Sequence, residues 1–163
     1  MNDKLKYLGY SIVFQEIPDE VTLAINISGC PHKCEGCHSK YLWEYDGDYI
    51  ADDLVGLIEQ YEGLITCVCF MGGDQNVLEL LYLAHIVETF NLKVALYSGL
   101  PDKSLFAGFK DVFDYLKVGE YIAEYGGLTS RTTNQRMYHQ INKPSNIWED
   151  ITYKFWKEGK SSG

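Results

Sequence analysis

Residues 21–38 read Val21-Thr22-Leu23-Ala24-Ile25-Asn26-Ile27-Ser28-Gly29-Cys30-Pro31-His32-Lys33-Cys34-Glu35-Gly36-Cys37-His38. The first seven carry apolar side chains at every odd position, which is the period of a strand. Ser28-Gly29 stops that pattern, and three cysteines follow with C-x3-C-x2-C spacing. A cysteine loop at the carboxyl end of a strand sits where α/β folds place their chemistry. Iron-sulfur clusters normally take four thiolates. Three in one loop bind three irons of a four-iron cube and leave the fourth iron open. An open metal position separates catalytic from structural sites, as zinc shows. The alternative is a structural zinc site with His32 or His38 as a fourth ligand. Zinc sites usually pair C-x2-C with a second, distant pair. The only other cysteines here, Cys67 and Cys69, are separated by one residue on a predicted strand. They share one face of it and read as two small buried hydrophobes rather than as ligands of a second cluster.

Strands and helices alternate outward from this loop. Tyr7 to Ile17 predicts an opening strand, and Pro18-Asp19-Glu20 a turn. Asp52 to Tyr61 predicts a helix with acids at its front. Leu64 to Phe70 is almost wholly apolar, as in a buried parallel strand, and ends in Met71-Gly72-Gly73-Asp74. A helix is predicted from about Gln75 to Phe90, with His85 at its core or boundary and Asp74 as a possible N-cap. Lys93 to Tyr97 predicts a strand ending in Ser98-Gly99. A short helix after Pro101 and a strand over Tyr115 to Val118, ending at Gly119, follow. This alternation argues for βα units and a parallel sheet. Thr129 to Gln135 reads as loop, and Gln135 to Ile141 with Ile147 to Trp156 as terminal strands forming a hairpin.

The chain has 163 residues, enough for one domain with a full core. Its formal charge of −9 argues against a nucleic-acid or anionic-membrane binder, which needs a basic face. No apolar run approaches the roughly 18 residues of a membrane span. Met1 to Lys6 is polar, without a signal-peptide core. Five cysteines is an odd number, which argues against a disulfide framework. These features predict a cytoplasmic protein.

The cysteine loop after the first core strand resembles the signature of radical S-adenosylmethionine (SAM) enzymes. Gly36-Cys37-His38-Ser39-Lys40-Tyr41-Leu42-Trp43 is similar to the stretch in anaerobic ribonucleotide reductase activating proteins. So are Gly72-Gly73-Asp74, Asp114 followed by Gly119, and Asn134-Gln135-Arg136, in order from about Tyr10 to Met137. Two positions depart from the pattern. Gly36 stands where many superfamily members have an aromatic residue, and Ser130-Arg131-Thr132-Thr133 replaces a Gly-Ser step.

The resemblance implies a shortened parallel (β/α) partial barrel of the radical SAM type, as one domain over residues 1–163. Its core would span about 10–137, with a C-terminal extension over 138–158 and a tail over 159–163. It implies a [4Fe-4S] cluster on Cys30, Cys34 and Cys37. SAM would chelate the open iron and be surrounded by Gly36, Cys37, His38, Gly72, Gly73 and Asp74, with Ser98 as a further contact. Reductive cleavage of SAM would give a 5′-deoxyadenosyl radical. That radical would abstract hydrogen from a glycine of an anaerobic ribonucleoside-triphosphate reductase, with reduced flavodoxin or a similar donor supplying the electron. Tyr41, Leu42 and Trp43 would shield the cluster or pack under its loop. The other readings are an activator of a different glycyl-radical enzyme, a small-molecule radical SAM synthase, and a non-catalytic zinc or Fe-S module that binds a partner.

Overall fold

Among the described residues, eight strands form one continuous sheet. The computed structural model describes residues 4–29, 44–73, 75–99 and 112–156. The strands are β1 (Lys6–Val13), β2 (Thr22–Ile27), β3 (Asp48–Tyr49), β4 (Cys67–Met71), β5 (Lys93–Tyr97), β6 (Tyr115–Val118), β7 (Arg136–Gln140) and β8 (Trp148–Asp150). Helix α1 (Ile50–Gln60) lies between β3 and β4, and α2 (Val77–Thr89) between β4 and β5. A 3-10 turn over Thr152–Phe155 follows β8.

The strand order is β3-β1-β2-β4-β5-β6-β7-β8. The four central strands β2, β4, β5 and β6 run parallel. On one side β1 pairs antiparallel with β2, and on the other β7 pairs antiparallel with β6 and then β8 with β7. The chain is therefore one α/β domain around a mixed sheet: its centre is parallel, as the alternation predicted, and antiparallel strands flank it on both sides. Connection length accounts for the β1–β2 and β7–β8 pairs, but not for β6–β7, whose link over residues 119–135 is long enough for either direction. Parallel neighbours need a crossover of a dozen or more residues, whereas antiparallel ones close through short turns. The links from β1 to β2 and from β7 to β8 are short, and both make antiparallel pairs.

The sheet has two differently covered faces. Leu23, Ile25, Val68, Phe70, Val94, Leu96 and Leu116 face the helices and pack with Leu54, Leu57 and Ile58 of α1 and Leu80, Leu83 and Val87 of α2. Each such side chain, fully buried, contributes about 1.5–3 kcal/mol by leaving water. The opposite face carries Cys67, Cys69, Ala95, Tyr115 and Met137. The chain itself covers it, through Ile17 of the β1–β2 connection, Leu128, Ile151 and Phe155.

The amino ends of the parallel strands are closed by a polar cluster on buried Glu20. Its carboxylate accepts from Thr66 Oγ1 at 2.6 Å, Tyr115 Oη at 2.8 Å and Lys93 Nζ at 3.1 Å. A buried carboxylate needs such partners. Pro18-Asp19-Glu20 is a turn as predicted, but its last residue is a packing and hydrogen-bonding anchor.

Several bounds and roles differ from expectation. β4 begins at Cys67 rather than Leu64, because residues 61–64 form a turn and Leu64 is exposed. α2 begins at Val77 with Asn76, not Asp74, as its cap; Asn76 Oδ1 accepts from Glu79 N at 3.2 Å. His85 is not in the core but exposed, 3.1 Å from Glu88 Oε1. The short helix expected after Pro101 lies outside the described residues.

Candidate iron-sulfur and cofactor site

Four strand ends meet at one edge of the sheet. The register places Asn26 beside Met71, Met71 beside Tyr97, and Tyr97 beside Lys117. Strand side chains alternate between faces, so this row crowns the face that carries Cys67, Cys69 and Tyr115. Beyond it come Ser28-Gly29, Gly72-Gly73, Ser98-Gly99 and Gly119. The residues predicted to hold a cofactor and described by the structure, Gly72, Gly73 and Ser98, are thus brought to one edge.

Cys30, Cys34, Cys37, Gly36 and His38 lie outside the described residues, as do His32, Tyr41, Leu42, Trp43 and Asp74. The two sides of the cysteine segment are described, and they form a clamped neck. Gly29 N donates to Glu44 O at 3.0 Å. Ser28 Oγ donates to Asp46 O at 2.6 Å and accepts from Asp46 N at 3.0 Å. The chain therefore leaves the strand end and returns to it at the same place. Gly47, which completes the neck, has φ of +107°, and a Cβ there would lie 1.9 Å from Tyr7 O. Only glycine fits that approach.

Gly72 and Gly73 form a second element of the edge. Their φ angles are +109° and +106°, and a Cβ on Gly73 would meet Ile27 Cδ1 at 3.0 Å. Gly72 N donates to Tyr97 O at 2.9 Å, and Gly73 O accepts from Asn76 N at 3.1 Å. Positive φ favours glycine at both positions, and a Cβ on Gly73 would also press on Ile27, Leu80 and Leu5 of the core. The pair thus forms a main-chain cradle at the edge that is set by its backbone and by the core beneath it. Gln75 ties the cradle to the neck, donating from Nε2 to Ser28 O at 3.1 Å and to Gly29 O at 3.3 Å. No periodicity marks Gln75, so this bridge is not legible in the pattern of residues.

Lys117 is the other residue that pattern reading missed. It lies inside an apolar strand and is 8% exposed. Its Nζ donates to Ser98 O and Gly119 O, both at 3.2 Å, and stands 5.3 Å from the centre of the Tyr97 ring. The signal available was a lysine in an otherwise apolar run, two residues before the glycine that ends the strand. Ser98 is buried, and its backbone N donates to Lys117 O at 2.8 Å. The lysine thus locks the ends of β5 and β6 and brings a cation to the edge.

The remaining motif residues divide between the edge and the scaffold. Asn134 Nδ2 donates to Glu120 O at 3.1 Å, and Gln135 Nε2 to Gly119 O at 3.2 Å. Both hold the segment after β6. Arg136 instead faces Asp150 at 3.5 Å, on the terminal hairpin. Asp114 sits at the opposite end of β6, where its Oδ2 accepts from Val94 N at 2.9 Å and Lys143 Nζ at 3.0 Å. Its role is to join strands. His139 stacks on Tyr115, with ring centres 4.7 Å apart.

Cys67 and Cys69 are free and fully buried. Burial pushes both thiols well above their ordinary range. Such thiols are packing groups, because metal binding and nucleophilic attack need the thiolate. Among the described residues no group of three or more His, Cys, Asp or Glu is placed to hold a metal ion. Nor is any helix there long and apolar enough to cross a membrane.

The family comparison supports an iron-sulfur protein of the radical SAM type. The family model described as a 4Fe-4S single cluster domain matches residues 20–137, and the chain belongs to that family. The match runs from Glu20 through the cysteine loop, the cradle and β6 to Met137, and so spans the four parallel strands. No curated protein and no solved structure matches the chain significantly.

Proposed function

We propose that this chain is a radical SAM activating enzyme, which forms the glycyl radical of an anaerobic ribonucleoside-triphosphate reductase. The observation that carries the reading is the convergence of three features at one sheet edge: the cysteine-loop neck, the Gly72-Gly73 cradle and the buried Lys117 ammonium. When bound, the cluster and SAM supply the electron and the 5′-deoxyadenosyl group for hydrogen abstraction. Cys30, Cys34 and Cys37 would hold the cluster, leaving its fourth iron to SAM. The cradle would present backbone groups to the methionyl part of SAM, with Asp74 near its ammonium. Gly36 and His38 would contact the adenosine side. Lys117, at the end of β6, would offer its positive charge to the methionyl carboxylate, with Ser98 beside it. The four parallel strands would form the shortened barrel wall that orients the cofactor and keeps water out.

Two features support a protein substrate. The face directly below the cofactor row is packed with the chain's own Ile17, Leu128, Met137, Ile151 and Phe155, and the cleft of about 730 Å³ beside it is open rather than enclosing. The chain is also strongly acidic, with a formal charge of −9, which favours a less acidic partner. A reduced flavodoxin or similar donor would supply the electron, and the cytoplasm is the compartment in which such a thiol-bound cluster persists. Anaerobic incubation of the reconstituted protein with SAM, a reductant and the reductase tests this. A glycyl radical signal on the reductase, lost in Cys34→Ala, is the expected result. SAM cleavage without any signal on the reductase would refute the assignment and favour another glycyl-radical enzyme or a small-molecule substrate.

A further inference from the structure

Strand β1 presents an unguarded edge. Its inner edge pairs with β2, while β3 covers its outer edge only at Lys6 and Tyr7. Among the described residues no strand adjoins the outer edge of residues 8–13. A bulge falls between Tyr7 and Tyr10. Beyond it Tyr10, Ser11, Ile12 and Val13 run in unbroken register with Ile25, Ala24, Leu23 and Thr22. Residues 7–15 are nine in a row without a charge or a proline, although charged residues make up 23% of the chain. Phe14, which follows the strand, is 67% exposed. The other borders of the sheet are guarded: β8 carries Glu149 and Asp150 and β3 carries Asp48, all exposed. Folded chains normally blunt an edge with charge, proline or a bulge, because its unpaired N–H and C=O groups template another strand. Here the bulge blunts only the first part of the open edge.

We propose that β1 pairs edge to edge with β1 of a second copy of this chain, antiparallel about a twofold axis near Ser11. The exposed groups fix the kind of occupant. A row of main-chain donors and acceptors is met by an extended strand. Charge then selects which strand. In an isologous contact the same patch meets itself, so a chain of formal charge −9 meets its own copy most readily along a surface without charge. Residues 8–13 satisfy that condition, whereas the β8 edge would set Glu149 and Asp150 against their own copies. A foreign strand suited to an acidic protein would be basic and would need acids along β1 to hold it, and β1 has none. Pairing centred on Ser11 sets Tyr10 of one copy opposite Ile12 of the other, on the face where both already pack against the core. Aromatic and β-branched residues make favourable cross-strand pairs. Ser11 meets Ser11 on the opposite face. The paired stretch lies along residues 22–25 of β2, and the cofactor edge begins at Asn26. Both cofactor edges of the dimer therefore stay open, and the proposal does not rest on the activating reading.

The test is sedimentation velocity over a concentration series of the cluster-loaded chain. It compares wild type, Ser11→Lys, Ser11→Glu and an equimolar mixture of the two variants. Ser11 is exposed, so neither substitution disturbs the core, but in the dimer each sets like charges directly opposite, which is destabilising. Wild type is expected to dimerise. Each variant alone is expected to show a dimer Kd raised about tenfold or more. The mixture is expected to dimerise again, because opposite charges then face each other, and that recovery shows that both variants are folded. Amide hydrogen exchange of residues 8–13 is expected to slow as the wild-type concentration rises and to be independent of concentration in Ser11→Lys. Iron content is expected to match wild type in both variants. A wild-type chain that stays monomeric overturns the proposal. So does a dimer that both variants leave intact, which would put the contact elsewhere. Loss of the dimer in both variants with no recovery on mixing overturns it too, because Ser11 would not then face its own copy.

Discussion

Substituting Gly47 by alanine probes the neck of the cysteine loop without touching a ligand. A Cβ at this position would lie 1.9 Å from Tyr7 O and 2.7 Å from Tyr7 C. Those atoms are main chain in β1 and cannot swing aside. The residue also holds φ at +107°, a conformation costing about 1–3 kcal/mol for a side chain other than glycine. Relief requires β3 to move off β1, where Tyr7 pairs with Asp48. That motion drags Asp46 and Glu44 from Ser28 and Gly29, breaking three hydrogen bonds worth about 0.5–1.5 kcal/mol each. The expected loss is about 3–5 kcal/mol. In a chain of this length that is a fall in thermal midpoint of roughly 10 °C. Gly63→Ala is the control. Gly63 has φ of +89° but nothing within 4 Å of its added Cβ, so it suffers backbone strain alone, about 1–2 kcal/mol. Urea unfolding of both variants, with iron content after anaerobic reconstitution, measures the difference. Gly47→Ala should be clearly the less stable and should retain less iron. Equal stability of the two variants would refute the clamped neck.

Lys117→Met should weaken SAM binding at least tenfold while leaving the iron content unchanged, and Lys117→Arg should restore part of the affinity; equal loss of iron would mean that the lysine only holds the fold. Gln75→Ala removes two hydrogen bonds from an exposed side chain, so stability should change by about 1 kcal/mol or less. Iron release to a chelator should nonetheless quicken, and an unchanged release rate would refute the bridge between cradle and neck. Stability should also fall in alkali. Burial holds the Cys67 and Cys69 thiols above their ordinary 9.0, and the Tyr97 and Tyr115 phenols above 10.0. Each group is neutral in the folded chain at a pH where its unfolded counterpart ionises. Their contribution is complete below about pH 9 and is lost as pH rises toward the folded values. Urea midpoints between pH 7 and 10.5 check this, and Cys67→Ala/Cys69→Ala should delay the decline; a flat profile would contradict it.

What the sequence made legible follows from how local each signal is. Lys93–Tyr97 and Tyr115–Val118 are strands with the predicted bounds, because short apolar runs closed by Gly leave little choice. The terminal hairpin was visible too, but its second strand is only Trp148–Asp150, and a 3-10 turn over Thr152–Phe155 stands where strand was predicted to Trp156. Cys67 and Cys69 were readable as core from their apolar neighbours. Strand direction was not readable, since it depends on which ends meet in space. β3 is two exposed residues, Asp48 and Tyr49, with no periodicity to mark it. Leu64 looked like strand because it is apolar, yet the turn at residues 61–64 leaves it exposed. At the site, the glycine pair was legible because positive φ demands glycine. Gln75 and Lys117 were not, because Gln75 bonds to Ser28 and Gly29 and Lys117 to Ser98, all in other segments of the chain. Asp114 shows the opposite case. It belongs to the motif series, but its contacts with Val94 and Lys143 give it a structural task.

The most direct test of the central claim is anaerobic reconstitution of the full chain, followed by EPR of the reduced protein with and without SAM and by measurement of 5′-deoxyadenosine. The account predicts about four irons per chain, as a single four-iron cluster requires. It also predicts a reduced-cluster signal that SAM alters, and 5′-deoxyadenosine formed on reduction. Zinc in place of iron, or a cluster whose signal SAM leaves unchanged and that yields no 5′-deoxyadenosine, would contradict it.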